Sequence, residues 1–508
     1  MAVTHESETE IDHDTLAESS ALRGFWGWLA RNWGRCTLAS LALLVPVFWH
    51  RIIGADDLGS HTYNAWLVSL IHRGKAPGLW IAPQRTNVLF DWLLSGSCGV
   101  FGYSAGEKIA VSVATLIFFW GLFALVQAAT RQSPWFLAPV LAMMTYGWTF
   151  YMGFFNFILS LGLSFFALAI VWRGRGWERL IALPLAGLAL MAHPLGFCWL
   201  VGAAAYVSIA EALPRRYQWI YQSGLCVLAG VSFYAVKHYL RLHYGINPGS
   251  TPFWKFNGAD QLVIFNDEDY HYPLRALVTF VLMAVGIDLI RRRREPRFGR
   301  YYAIPTQLYL LAVVSLAILP GAIIFPGPRA AIALLTERLT TVCAALGCCV
   351  LGAMRPSKWH LVASAAIAIV FFAFVYRDTG TISRMEWQAQ QLVRTVPAGQ
   401  RVMATIEPLG DSRVPIQHII DRACVERCFS YGNYEPGSLD FRVRATPGNP
   451  YVLDDYEEAV AMEEGTYVVR PEDLPVYQVY QCSDDGTDLC IRPLAAGEEN
   501  NRTGTYSN

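Results

Sequence analysis

The chain has 508 residues, of which 54% are hydrophobic and 16% charged, and its mean hydropathy is +0.31. That is too apolar for a soluble protein of this length. The formal net charge is zero, which leaves no basic surplus for nucleic acid and so no sign of a nucleic-acid partner.

The first twenty residues, Met1–Ser20, are acidic and polar and lack the apolar core of a signal peptide. They read as a disordered tail, followed by a pre-membrane segment up to residue 35. Long apolar stretches then recur near residues 36–53, 107–129, 135–151, 154–172, 179–195, 196–213, 218–236, 274–290, 302–325, 330–353 and 359–376. A hydrocarbon core of about 30 Å takes about 20 apolar residues to cross as a helix. The pattern predicts a mainly α, polytopic membrane protein of about 11 transmembrane helices, spanning residues 36–377, in which the first span serves as an uncleaved insertion signal.

Charge sets the expected orientation. Arg173, Arg175 and Arg179 follow span 4, and Arg215 and Arg216 follow span 6. Arg291, Arg292, Arg293, Arg294, Arg297 and Arg300 follow span 8, and Arg355 and Lys358 follow span 10. All four basic turns follow even-numbered spans, so they share one side, which the positive-inside rule makes cytoplasmic. The N-terminus is then cytoplasmic and the region after residue 377 extracytoplasmic. Merging spans 5 and 6, which meet at His193-Pro194, would put the later arginines in conflict with the earlier ones.

Loop 1, residues 54–106, is the segment richest in chemistry. Asp56 and Asp57 stand just after span 1, and charges at a bilayer edge are costly unless used or paired. Asp57, His61 and Asn64 are spaced i, i+4, i+7, so a helix over Leu58–Arg73 presents them on one face. Ala65, Leu67, Leu70 and Ile71 supply an apolar side, which predicts an amphipathic helix lying at the interface. The second apolar stretch, Val88–Phe101, carries Asp91. Such a loop forms a membrane-surface cleft floored by carboxylates, which can act as a general base or hold a divalent cation. The bland alternative is that Asp56 or Asp57 caps the helix.

Three further places carry ionisable groups. His193, at the outer end of span 5, is either a phosphate contact or proton relay, or a hydrogen-bonded interfacial histidine. Glu337 and Arg338 lie inside span 10, where ionisable residues usually have a role, and Arg suits phosphate; the alternative is a structural ion pair. The external loop 237–273 holds His238, His243, His271 and the run Asp267-Glu268-Asp269, which, like Asp57, is a weak metal-ligand candidate, the alternative being a solvated acidic turn. Gly153, Asn156, Ser160 and Gly162 in span 4 read as close helix packing.

The C-terminal region, 378–508, is polar and acidic and predicts a small extracytoplasmic mixed α/β domain. Met385–Val396 reads as a helix stopped by Pro397, and Arg401–Ile406, Phe441–Ala445, Thr466–Val469 and Val476–Gln481 read as strands. Cys424, Cys428, Cys482 and Cys490 suit two disulfides in an exported domain, with free thiols or a zinc site as the alternatives. Asn501-Arg502-Thr503 matches a glycosylation acceptor, which bears only on a eukaryotic protein. There is no phosphate-cradling G-x-x-x-x-G-K-[ST], no dinucleotide fingerprint and no His-Glu-x-x-His motif.

One span, an acidic pair, a long external loop, many spans and an external tail together resemble the GT-C class of membrane glycosyltransferases, which includes the protein O-mannosyltransferases and the lipid A aminoarabinose transferase. The stretches that carry the resemblance are Asp56-Asp57-Leu58-Gly59-Ser60-His61-Thr62-Tyr63-Asn64-Ala65-Trp66-Leu67, then Gly74, Pro77-Gly78-Leu79 and Phe90-Asp91-Trp92-Leu93-Leu94, and the tail entry Gln391–Val402. Gly153-Phe154-Phe155-Asn156-Phe157 is similar to a bacterial subfamily of this architecture. The resemblance implies a bacterial inner-membrane enzyme that moves a sugar from a polyprenyl-phosphate donor to a lipid, glycan or protein acceptor at the outer face. It implies Asp56 or Asp57 as the group that activates the acceptor or holds a metal, and Arg338 as the group that binds the donor phosphate, with His193 beside it. His61, Asn64, Asp91 and Glu337 are expected to support them. A divalent cation is the one cofactor in view. Gln84-Arg85-Thr86-Asn87 stands where several subfamilies carry a Pro-Pro stretch, which leaves donor and acceptor open. The competing reading is a non-enzymatic transporter or flippase of lipid-linked glycans, or an assembly scaffold. A transporter should show polar residues at mid-bilayer, whereas the polar residues here gather toward the outer ends of spans.

Overall fold

A computed structural model describes residues 21–243, 246–247, 257–292, 303–324, 331–355, 357–438, 441–482 and 486–501. The acidic tail, most of the arginine run after span 8, and Arg502 and Thr503 of the glycosylation motif lie outside the described residues.

The helices in chain order are α1 (Ala21–Phe48), α2 (Asp56–His72), α3 (Leu89–Phe101), α4 (Tyr103–Thr130), α5 (Ala138–Thr145), α6 (Trp148–Tyr151), α7 (Phe155–Arg173), α8 (Ala182–Ala192), α9 (Pro194–Ala212), α10 (Arg215–His243), α11 (Asp267–Arg292), α12 (Ile304–Ile318), α13 (Leu335–Leu351), α14 (Lys358–Thr395), α15 (Ile419–Cys424), α16 (Glu435–Ser438) and α17 (Tyr456–Glu464). Among the described residues six of them are long and apolar enough to cross a bilayer: α4, α7, α9, α10, α11 and α14. The other expected spans fall on α1, on the broken pair α5–α6, and on the shorter α8, α12 and α13. Large apolar side chains such as Val227, Val231, Leu282, Ile290 and Ile369 stand exposed on the long helices, which suits a lipid-facing surface. The chain is an integral membrane protein of mainly helical fold.

The backbone does break between spans 5 and 6. α8 ends at Ala192, His193 is extended, and Pro194 opens α9, a position proline tolerates because its missing N–H would have no helical partner. Small residues bring α4 and α7 together: a Cβ on Gly162 would stand 2.7 Å from the Phe118 Cα. Two arginine-bearing ends pack on neighbouring helices. Arg173 Nε donates to the Ala128 carbonyl at the end of α4, and the Arg355 amide donates to Asp288 of α11.

α14 runs without interruption from the last span into the tail, so span 11 and the helix expected at Met385–Val396 are one element. No proline separates them. Beyond it lies a four-stranded sheet in the order β6-β5-β8-β9, formed by β5 (Arg401–Thr405), β6 (Phe429–Ser430), β8 (Val476–Gln481) and β9 (Leu489–Pro493). β5 runs parallel to β6 and β8, and β9 is antiparallel to β8. The stretch near Thr466–Val469 makes a single bridge, Val468 to Glu499. The cysteines pair as neighbours in sequence, Cys424–Cys428 and Cys482–Cys490. Away from the sheet, β2 (Ile246–Asn247), β3 (Ala322–Ile324) and β4 (Ala331–Ile332) form a small antiparallel ribbon.

Loop 1 and the tail are built into each other. β1 (Leu79–Ile81) pairs antiparallel with β7 (Val443–Ala445), with Leu79 opposite Ala445. α2 is therefore not an amphipathic helix on the membrane surface. Its far side packs on α15 and β6: the Ser430 amide donates to the Tyr63 hydroxyl at 2.9 Å, and Trp66 meets Phe429 at 5.6 Å. Gly59 is needed for this approach, since a Cβ there would stand 2.4 Å from the His418 carbonyl oxygen.

A buried ionic group ties the same parts together. Arg422 of α15 pairs with Glu107 of α4 at 3.1 Å, pairs with Glu386 of α14, and donates to the Ile53 carbonyl at 3.0 Å. Thr62 of α2 donates to the same Glu107 at 2.7 Å. All three charged side chains are less than a tenth exposed, so each depends on the others for its solvation.

Candidate active site

α2 begins where the chain leaves α1, and its N-cap is Ala55, which makes no side-chain cap. Asp56 and Asp57 therefore occupy the first helical turn, where the helix dipole favours negative charge, and neither acts as the cap. They then diverge. Asp56 is buried, makes no hydrogen bond to another side chain, and faces the backbone amides of Gln417 and His418. Burial pushes its pKa up to about 8, against the pull of His418. Asp57 turns outward with its side chain 29% exposed.

Asp57, His61 and Asn64 are the half-exposed positions of the first turns of α2, and the residues between them are buried. The spacing on one face thus holds, and each of the three meets a partner from elsewhere. Asp57 Oδ1 faces His418 Nε2 at 3.7 Å. His61 Nδ1 bonds Asp91 Oδ1 of α3 at 2.7 Å, and Asn64 Nδ2 donates to Glu435 Oε2 of α16. Ser60 donates to the other Glu435 oxygen at 2.6 Å. Burial disfavours the His61 charge, but Asp91 outweighs it and raises the imidazole to about 9. Asp91 is also held by Asn156 of α7, whose Nδ2 donates to it at 2.9 Å while its Oδ1 accepts from the Phe90 amide. Asn156 therefore does more than pack helices.

The loop before α7 completes the floor. Gly153 has φ +83°, and a Cβ there would stand 2.7 Å from the Asp57 nitrogen, so this close approach requires glycine. The Asp57 amide donates to the neighbouring Met152 carbonyl at 3.3 Å. Phe154, next in the chain, carries the Arg338 guanidinium on its ring face at 3.9 Å. Arg338 lies in electrostatic reach of Asp57, Tyr434 and Glu337, and its buried Nε has no hydrogen-bond partner. No ion pair forms between Arg338 and Glu337, which instead accepts a hydrogen bond from Thr336 at 2.8 Å. His193 lies in electrostatic reach of Arg338, but its Nδ1 accepts from the Leu195 amide at 3.2 Å and so caps α9.

The other candidates stand apart. In the acidic run at the start of α11, Asp269 pairs with Arg377 at 2.6 Å, and the Asp267 carbonyl bonds the His271 ring. His243 bonds the Tyr239 carbonyl within α10.

His418 is the principal residue of this candidate site that the sequence did not point to. Its Nδ1 bonds Asp421 at 2.7 Å, its ring packs near Tyr434, and both His418 and Asp421 are buried. Burial opposes the imidazolium, yet the facing carboxylates hold it charged well above the usual histidine range. The His418/Asp421 spacing of i, i+3 was the available signal.

Asp56, Asp57 and His418 are the group among the described residues whose ligand atoms come within 4.8 Å of one another. A divalent cation fits them on two counts: no side chain hydrogen-bonds the Asp56 carboxylate, and His418 already carries a carboxylate on its other ring nitrogen, as metal-bound histidines do.

No protein-family model matches the chain, and no curated protein matches it. Among solved structures, ArnT from Cupriavidus metallidurans in the apo state aligns at TM-score 0.50 and 12% identity, over 90% of this chain and 93% of that one. The oligosaccharyltransferase AglB from Archaeoglobus fulgidus, in complex with an inhibitory peptide and a dolichol-phosphate, aligns at TM-score 0.35 and 10% identity over 89% of this chain and 70% of that one, too weakly to carry an argument. The likeness to ArnT shows a GT-C-like fold, as the sequence resemblance implied.

Proposed function

We propose that this protein is a membrane glycosyltransferase of the bacterial inner membrane. Its donor is a polyprenyl-phosphate sugar, and its acceptor lies at the outer face. The N-terminus is cytoplasmic and the tail extracytoplasmic, in keeping with the basic turns at Arg173–Arg179, Arg215–Arg216 and Arg355–Lys358.

The observation that carries the reading is the meeting of Asp57 and Arg338. A half-exposed carboxylate and a guanidinium with an unpartnered Nε both lie against the Gly153-Phe154 turn, within electrostatic reach of each other. Arg338 binds the donor phosphate, for which its fork of donors is suited. Asp57 accepts the proton of the acceptor hydroxyl as that oxygen attacks the anomeric carbon. The bond from that carbon to the phosphate oxygen breaks, and polyprenyl phosphate leaves with the electron pair, its added charge facing Arg338. His418, fixed by Asp421, faces the Asp57 carboxylate at 3.7 Å and orients it. With the His418 Nε2 proton displaced, Asp56, Asp57 and His418 would hold a divalent cation, which would supply further stabilisation of phosphate charge. Asp56 is buried and so less accessible to an acceptor hydroxyl than the half-exposed Asp57.

Purified protein in lipid, given a panel of radiolabelled polyprenyl-phosphate sugars, tests this. Release of lipid phosphate from at least one donor, with donor binding weakened about 10- to 100-fold in Arg338→Ala, is the expected result. No turnover across the panel, with Arg338→Ala binding every donor as the parent does, would favour the transporter or scaffold reading.

A further inference from the structure

The end of α1 packs beside the middle of α14. The Trp49 ring meets Tyr376 at 5.3 Å, the His50 ring meets the same tyrosine at 4.6 Å, and the Lys108 ammonium donates to the His50 carbonyl at 2.8 Å. Tryptophan, tyrosine and basic groups gathered in this way mark the level at which a membrane protein meets lipid headgroups. On the membrane side of them, Val45 and Phe48 of α1 and Ile369 of α14 stand exposed and apolar.

Just beyond this belt, one indole gathers two arginines. The Arg51 guanidinium carbon stands 3.3 Å from the centre of the Trp387 ring, and that of Arg394 stands 5.8 Å from it. Arg394 lies two turns after Trp387 on α14, and helical side chains lean toward the N-terminus of their helix, so Arg394 reaches back toward the membrane. Arg384, three residues before Trp387, shares its side of the helix. All three arginines are exposed.

The nearby carboxylates are committed elsewhere. Asp378 pairs with Arg377, Glu107 and Glu386 pair with Arg422, and Asp488 accepts from Gln388. The ion pairs formed among the described residues include none of Arg51, Arg384 and Arg394. Stacking on an indole leaves the in-plane N–H donors of a guanidinium open at the rim of the ring. Two such cations at one ring repel each other unless an anion lies between them, and phosphate is the anion whose oxygens suit guanidinium forks. Three unpaired cations favour a headgroup of net negative charge over a zwitterionic one. The aromatic belt and the apolar helix ends beside it provide a track for acyl chains, which a free anion would leave unused.

We propose that this face binds the phosphate of an anionic glycerophospholipid, held by Arg51 and Arg394 beside Trp387, with its acyl chains against the apolar ends of α1 and α14. Arg51 stands shortly before α2, so the lipid ties the chain entering that helix to α14. The leaflet is the outer one on the topology proposed above; the binding itself rests neither on that topology nor on the transfer reaction.

The test is native mass spectrometry of the full chain, delipidated in neutral detergent and titrated with phosphatidylglycerol. Phosphatidylcholine and inorganic phosphate form separate arms. Arg51→Gln and Arg394→Gln change exposed side chains outside the candidate active site, so folding is retained, which an unchanged melt confirms. Lys75→Gln, in the exposed turn after α2, controls for loss of charge alone. Saturable retention of phosphatidylglycerol, weakened about fivefold in each arginine variant and unchanged in Lys75→Gln, is the expected result. Phosphatidylcholine should not be retained, and inorganic phosphate at the same concentration should not displace the lipid. Equal retention of phosphatidylglycerol by the parent and both arginine variants overturns the proposal. So does retention of phosphatidylcholine to the same degree, or displacement by inorganic phosphate, which would make the face a site for free anions.

Discussion

His418 Nε2 stands 3.7 Å from Asp57 Oδ1, although the two residues come from opposite ends of the chain. The contact depends on the tail folding back over loop 1. Strand β1 pairs with β7, Gly59 lets the His418 backbone reach α2, and Arg422 is locked between α4 and α14. The candidate site is thus assembled jointly by the membrane helices and the tail.

The Arg422 group should be a main support of that assembly. Arg422→Met leaves Glu107 and Glu386 facing each other without a cation, and breaking a buried ion group by removing one partner costs about 3–5 kcal/mol. A thermal melt in detergent should show a large loss of stability. A companion triple change of Arg422, Glu107 and Glu386 to apolar residues should recover most of it. Equal melts for Arg422→Met and the parent would show that the network contributes little.

Gly153→Ala should damage the site locally. The positive φ costs an L-residue about 1–2 kcal/mol, and the new methyl presses on the Asp57 backbone. Reduced stability together with reduced transfer is expected. Gly187→Ala, in open space on α8, should leave both unchanged.

A divalent cation should stabilise the protein by mass action. Manganese or magnesium added to metal-free protein should raise the melting temperature, and Asp56→Asn or His418→Ala should abolish the rise. An equal rise in all three proteins would place the ion elsewhere.

Stability should fall with rising pH through the range set by the buried glutamates. Burial lifts Glu435 from 4.5 to about 7, as it does Glu386 and Glu463. Between those values the folded state holds protons that the unfolded state has released, so stability is lost as pH rises from about 4.5 through about 7. Glu435→Gln should make the melting temperature less steeply dependent on pH across that window. A slope identical to the parent's would mean that Glu435 is ionised in the fold throughout.

Much of this was legible in the sequence because its causes are local. Apolar run length placed the helices, His193-Pro194 marked a real break, and the spacing of Asp57, His61 and Asn64 put them on one face. What could not be read was what covers each surface. Nothing local to α2 shows that its apolar side meets Phe429 and Ser430 instead of lipid. Nor could Glu107, Glu386 and Arg422 be matched across such separations. The two aspartates were indistinguishable in sequence, and it is the tail, whose Gln417 and His418 reach Asp56, that sets the buried Asp56 apart from the half-exposed Asp57.

The account rests most directly on Asp57 as the acceptor-activating carboxylate. The decisive measurement is single-turnover sugar transfer by Asp57→Asn, with donor binding measured on the same sample. A loss of about 10²- to 10⁴-fold in the chemical step, with donor affinity and melting temperature close to the parent's, is what the account predicts. Transfer at the parental rate by Asp57→Asn would contradict it.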